Sequence, residues 1–336
     1  MSQRTSLKDI AQATDLSVST VSLALRGKKW VSKETRCKVM EAAERLHYNV
    51  HPVYASLGRR LKDGKGPSGL NLAILFDEHH DQTRREAAEA DIRPIAEAHS
   101  CHLSVISMGP DDSPARIEQI ISSQGIAGVL IPRIPSLTTR LSELNLDSVA
   151  VICKVGRWHP LYQTIDNDYF GAVQFLCREF YRRGRRRIGF ALPFTDPPAV
   201  DDYFRFGGYT TFFENQDSKL APLPRWTPPK NRAFGGQLDS FRQWVETCNP
   251  DAVIGFSEVG HHFLRELGIP SPAQIAYAGL LISPSGTVGG MCASPDIDEI
   301  AIETLISDSL QGKFGKVRAS RNIRLSMRYL DHKSLD

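Results

Sequence analysis

No apolar run in the 336 residues approaches the roughly 20 needed to cross a bilayer. The first residues also lack the charged-then-apolar pattern of a secretory signal, so a cytoplasmic protein is expected. Six cysteines are present, Cys37, Cys101, Cys153, Cys177, Cys248 and Cys292, with no close pairing. That spacing excludes a zinc ribbon or a disulfide framework and leaves reduced packing residues. Neither a Gly-x-Ser-x-Gly elbow nor a Walker loop occurs. The run "GKGPSG" (64–69) has the glycine spacing of a dinucleotide loop, but it precedes a strand where the fingerprint must follow one. "DNDYFG" (166–171) begins like a calcium loop, yet Phe170 and Cys177 stand where oxygen ligands are needed. The pairs His79–His80 and His261–His262 have no third ligand at a sensible spacing. No enzyme activity, metal or cofactor is expected.

What is present is an uneven charge. Residues 1–65 hold 13 Lys/Arg against 6 Asp/Glu, a net of +7, and the remainder holds 28 against 32, a net of −4. A basic head on a near-neutral body is the footprint of a nucleic-acid-binding module, although a charge run alone is also what a solvated face shows.

Within that head, Leu7, Ile10, Ala11 and Thr14 fall at helical spacing, Asp15 and Leu16 make a turn, and Val21, Ala24 and Leu25 form a second apolar stripe. Ser17 and Ser32 stand where N-caps belong for the second helix and for a third running through Val39, Ala43 and Leu46. The second helix begins with Ser17, Val18, Ser19, Thr20 and Ser22. Short hydroxyls beside free helix-terminal amides suit phosphates and base edges, an acid there would be repelled, and Val18 can touch a thymine methyl. The bland reading is a capped core helix with a Ser/Thr-rich face, which leaves the neighbouring basic charge unexplained.

From 49 to 69, prolines, glycines and basic residues surround one short apolar patch, Val53, Tyr54 and Leu57, as in a linker holding a small element. Beyond it, "LNLAILF", "HLSVISM", "GIAGVLIP", "SVAVICKV", "RRIGFAL", "DAVIGF" and "IAYAGL" alternate with helical stretches at 86–99, 115–123, 169–183 and 257–267. That alternation predicts parallel, doubly wound α/β sheets, and the length favours two such subdomains.

The segments "TSLKDIAQATDLSVSTVSLALRG", "VSKETRCKVMEAAERLHY" and "HPVYASL" together resemble the LacI/GalR family of bacterial transcriptional regulators over residues 5–58. The resemblance implies a helix-turn-helix domain at 1–49, a hinge helix and linker at 50–69, and a periplasmic-binding-protein-like core at 70–336. The core would divide into an N-subdomain (about 70–164 and 295–322) and a C-subdomain (about 166–293 and 323–336). It implies that Val18, Ser19, Ser22 and Leu23 read bases and that Ser6, Ser17, Thr20, Ser32, Thr35 and Tyr48 meet phosphates. Leu57 would wedge into the minor groove. Many members carry Arg at the position of Leu23, and Arg26 is the nearby candidate to replace it.

In the core, "DDYFRFGGY" (201–209) resembles the segment whose Arg contacts the effector, which makes Arg205 the first effector candidate. The bland alternative is an ion pair. Ser257 and Glu258 stand where the family segment ends in Asn-Asp, and "YAGLLIS" lacks the acid that sugar-binding members carry. Phe256 and Phe76, with the region around Trp226, are candidates for an aromatic floor, while Trp226 itself suits packing. The function implied is a homodimeric repressor on a pseudo-palindromic operator, controlled by a small, carbohydrate-related effector bound between the subdomains. The near alternatives are a non-sugar effector or none, and the remote one is a binding protein or enzyme on the same core. Little chain after Asp331 argues for a dimer rather than a tetramer.

Overall fold

The computed structural model describes residues 7–25, 31–45, 69–77, 82–109, 111–132, 143–154, 162–192, 200–214, 220–229, 234–316 and 321–335. The chain divides into two compact units, Met1–Pro67 and Ser68–Asp336.

In the first unit, α1 (Leu7–Thr14), α2 (Val18–Leu25) and α3 (Lys33–Arg45) form the expected small bundle. Ile10, Ala11, Val21, Ala24, Val39, Ala42 and Ala43 are its buried core, with Leu16 and Val31 packed against it. Alanine and valine at these contacts let short helices approach closely, and burial of that apolar surface supplies the stability that such short helices lack alone.

The second unit contains two sheets. The first has strand order β10-β5-β4-β3-β1-β2, formed by β1 (Asn71–Asp77), β2 (His102–Met108), β3 (Ile126–Ile131), β4 (Ala150–Cys153), β5 (Gln163–Asn167) and β10 (Asn322–Leu325). All its pairings are parallel. Helices α4 (Gln82–Ala98), α5 (Pro114–Gln124) and α10 (Ile297–Gln311) accompany these strands. β3 is buried at every position, as a central parallel strand covered on both faces must be.

The second sheet has order β11-β9-β8-β7-β6, formed by β6 (Ile188–Ala191), β7 (Ala252–Phe256), β8 (Ala276–Leu280), β9 (Gly290–Cys292) and β11 (Arg328–Leu330). It is parallel except for β11, which pairs antiparallel with β9. Its helices are α6 (Tyr169–Arg182), α7 (Val200–Glu214), α8 (Phe234–Cys248) and α9 (Val259–Glu266). Asp168, in the segment that looked like a calcium loop, is the N-cap of α6 and accepts from Gly171 N at 3.0 Å.

The chain passes between the sheets after β5, after β9 and after β10. These crossings are tied to one another: Asp168 N donates to Leu325 O at 2.8 Å, and Ser294 N donates to the Asn167 side-chain oxygen at 2.9 Å. No described helix is long and apolar enough to cross a membrane.

The packing of α10 on the first sheet is close at Gly128, where a Cβ would meet Leu305 Cγ at 2.7 Å and Ser309 Oγ at 3.0 Å. Gly128→Ala is expected to destabilise the second unit by about 1–3 kcal/mol through overpacking. Urea denaturation followed by circular dichroism checks this; an unchanged midpoint would show that α10 can shift freely.

Candidate nucleic-acid interface and ligand site

The corner between α1 and α2 is built by Asp15, whose φ of 54° lies in the left-handed region that Asp tolerates better than most residues. Leu16 N then donates to Ala11 O at 3.0 Å, and Thr14 Oγ1 donates to Ile10 O at 2.6 Å. Ser17 caps α2: its Oγ accepts from Thr20 N at 3.1 Å and lies 2.8 Å from Thr20 Oγ1. The same arrangement recurs at α3, where Ser32 Oγ accepts from Thr35 N at 3.1 Å and donates to Thr35 Oγ1 at 2.8 Å. The hydroxyls therefore secure two helix N-termini while remaining at the surface. Val18 and Leu23 are exposed at 41% and 38%, whereas Val21 and Ala24 of the same helix are buried. Ser19 and Ser22 lie on α2. Ser6, Arg26, Tyr48, Leu57 and the hinge segment lie outside the described residues.

In the second unit the parallel strands β6 to β9 of the second sheet share one carboxyl end, the usual ligand side of a parallel sheet. Phe256 ends β7, and Ser257 follows with a φ of 48°, its N–H donating to Leu280 O at 2.7 Å. Tyr277 Oη supports this turn by donating to Ser257 O at 3.0 Å and accepting from Gly260 N at 3.2 Å. Glu258 precedes α9 and makes no side-chain cap bond.

Arg205, on α7, is buried. Its two terminal nitrogens donate to Asp202 Oδ1 at 2.9 Å and Asp201 Oδ2 at 3.0 Å, and both carboxylates are buried with it. The guanidinium carbon stands 4.4 Å from the Tyr169 ring centroid and 5.6 Å from that of Phe256. Arg205 and Phe256 are thus brought together. Phe76 lies in β1 of the first sheet with no exposed surface. Trp226 packs with Phe241 and Phe263 in a separate cluster, donating its indole N–H to Ser240 Oγ at 3.2 Å.

Beside Glu258, His261 is held below its ordinary pKa by partial burial and by Arg265 and His262, against the opposing pull of Glu258. Among the described residues, His99, Glu299 and Glu303 form a group with ligand atoms within 4.8 Å of one another, two of them exposed carboxylates.

Residues 6–50 match the family model described as bacterial regulatory proteins, lacI family. The HTH-type transcriptional regulator AglR of Rhizobium meliloti (strain 1021) is 27% identical over 194 residues, 54% of this chain and 51% of that protein. The aligned chain thus spans about half the length of this curated relative. The crystal structure of the lac repressor dimer bound to operator and the anti-inducer ONPF superposes with a TM-score of 0.61 at 15% identity, covering 99% of this chain and 100% of that one. Over residues 6–50 the chain is thus similar to the lacI family of regulatory proteins, and over its whole length it shares the fold of the lac repressor. A second structure of the same fold, the transcriptional regulator CelR–cellobiose complex, gives a TM-score of 0.56 at 17% identity over 98% of this chain and 100% of that one.

Sequence reasoning selected Arg205 but not its partners. Asp201 and Asp202 stand four and three residues before it on one helix, the spacing at which side chains meet, so the signal was available. Tyr169 and Tyr277 carried no local signal, because each reaches its site through sheet and helix packing.

Removing the cation from this buried group is expected to be costly. Arg205→Ala should lower the stability of the chain by about 3–5 kcal/mol, and adding Asp201→Asn and Asp202→Asn should recover part of it. Thermal and urea denaturation check this; an Arg205→Ala protein of full stability would free Arg205 from a structural role. For His261 the sign follows from its lowered pKa: the unfolded chain, titrating near about 6.5, takes up the proton more readily than the folded chain. Stability should therefore fall as pH drops through that value, and His261→Gln should flatten the fall in denaturation series between pH 7.5 and 5.

Proposed function

We propose that this chain is a sequence-specific DNA-binding transcriptional regulator acting as a repressor, with a homodimer placing two α2 helices on a pseudo-palindromic operator. It is a regulator and not an enzyme, in keeping with the lacI-family model that residues 6–50 match. The observation that carries the reading is the helix-turn-helix of residues 7–25: a sharp corner at Asp15, a hydroxyl-capped second helix, and an outward face without charge, on a unit matching the family model. Val18, Ser19, Ser22 and Leu23 read base edges, with Arg26 the candidate to replace the Arg that many family members carry at the position of Leu23, while Ser6, Ser17, Thr20, Ser32, Thr35 and Tyr48 address phosphates. Leu57 fills the opened base step at the operator centre.

The second unit senses a small effector between its two sheets. A carbohydrate-related ligand is supported by the CelR–cellobiose complex among the structures of this fold, with Phe256, Ser257, Glu258, Phe76 and Arg205 as candidate contacts. A specific observation favours a second reading, in which the effector is a non-sugar metabolite or none is used. Both outer nitrogens of Arg205 are already engaged by Asp201 and Asp202, so a ligand oxygen would compete with two carboxylates.

Selection of binding sites from a random DNA pool by the full chain tests the regulator reading. A recovered inverted repeat is expected, and affinity for it should fall about a thousandfold between 50 and 200 mM salt if some six phosphates are contacted. Recovery of DNA without a common motif would overturn sequence-specific regulation.

A further inference from the structure

We infer that the recognition helix identifies its operator by thymine methyl groups, with Val18 and Leu23 as the specificity-determining residues. The inference rests on the regulator reading above and names the chemistry that α2 recognises. Residues of α2, "VSTVSLAL", include no charged group. Val21 and Ala24 are spent in the core, and at 3.6 residues per turn positions 18, 19, 22 and 23 occupy the arc on the opposite side. The two largest side chains on that arc, Val18 and Leu23, are aliphatic, and both are exposed.

Base-edge chemistry limits what such a face can distinguish. Guanine is selected by a bidentate Arg or Lys and adenine by Asn or Gln, and α2 carries none of these. A serine hydroxyl both donates and accepts, so it discriminates poorly among bases. An aliphatic side chain makes no hydrogen bond, and the single apolar group that a base pair offers it in the major groove is the C5 methyl of thymine. Val18 is the first residue of α2, and the N-terminal part of a recognition helix is the part that meets base edges. A·T pairs with their methyls towards Val18 and Leu23 are therefore the preferred half-site.

The test uses the full chain and the inverted repeat recovered by selection. Thymines of each half-site are replaced one at a time by deoxyuridine, which removes the methyl and leaves pairing intact. At the positions facing Val18 and Leu23, each replacement should weaken binding about fourfold, the value of one buried methyl group, and roughly fifteenfold when made in both half-sites. Placing 5-methylcytosine at such a position should bind more tightly than cytosine. Val18→Ser and Leu23→Ser alter surface positions only, and each should abolish the difference between thymine and deoxyuridine at one position while retaining salt-dependent binding. A repeat whose affinity ignores deoxyuridine everywhere, or a deoxyuridine effect that persists in both serine variants, would overturn methyl reading and leave the regulator reading standing. Selection that yields no motif would overturn both.

Discussion

The second unit depends on three passages of chain between its two sheets, after β5, β9 and β10, being tied together. Asn167 accepts from Ser294 N, and Asp168 N donates to Leu325 O, so each passage is hydrogen-bonded to another. Neither sheet is complete without them. The first takes β10 at its edge only after the chain has built most of the second, and the second receives β11 only after that return. Such interleaving keeps the two sheets from behaving as separable domains and confines relative movement to a few backbone bonds.

Close to these passages, the second sheet holds charge where a parallel sheet usually holds ligand. Arg205 is enclosed by Asp201, Asp202 and the faces of Tyr169 and Phe256. A guanidinium in water exchanges partners readily, but a buried one whose outer nitrogens meet two carboxylates is held by the cost of leaving those carboxylates behind. Ser257 and Glu258 occupy a turn already fixed by Tyr277 and Leu280 through backbone bonds, so the turn needs no ligand to maintain its form. A ligand site on this scaffold would draw on the free side chains of Ser257 and Glu258 more readily than on Arg205.

The first unit is economical in a different way. Ser17 and Ser32 each cap a helix and each pair with a threonine three residues on. The same groups that stabilise the short helices also present hydroxyls to the outside, so stability and surface chemistry cannot be changed independently at these positions.

Much of this was legible in the sequence because it is local. The three N-terminal helices, their caps and the strands at 102–108, 126–131 and 252–256 follow from apolar periodicity and hydroxyl placement over fewer than ten residues. The basic head followed from counting charge. β5, β9 and the edge strands β10 and β11 were less legible because three to five residues are too few to show a period, and α7 and α10 because they bury polar residues, Asp201, Asp202, Arg205, Asp308 and Ser309, that blur theirs. The sequence reading made Arg205 the first effector candidate with an ion pair as the alternative, and it left unused the acids at i−3 and i−4 that point to the pair. Tertiary structure alone decided that the group is buried and stacked on Tyr169 from α6 and Phe256 from β7, because those contacts join segments far apart in the chain. For the same reason it alone separated Trp226 from Phe256, each drawn into a different core by the sheet face on which it lies.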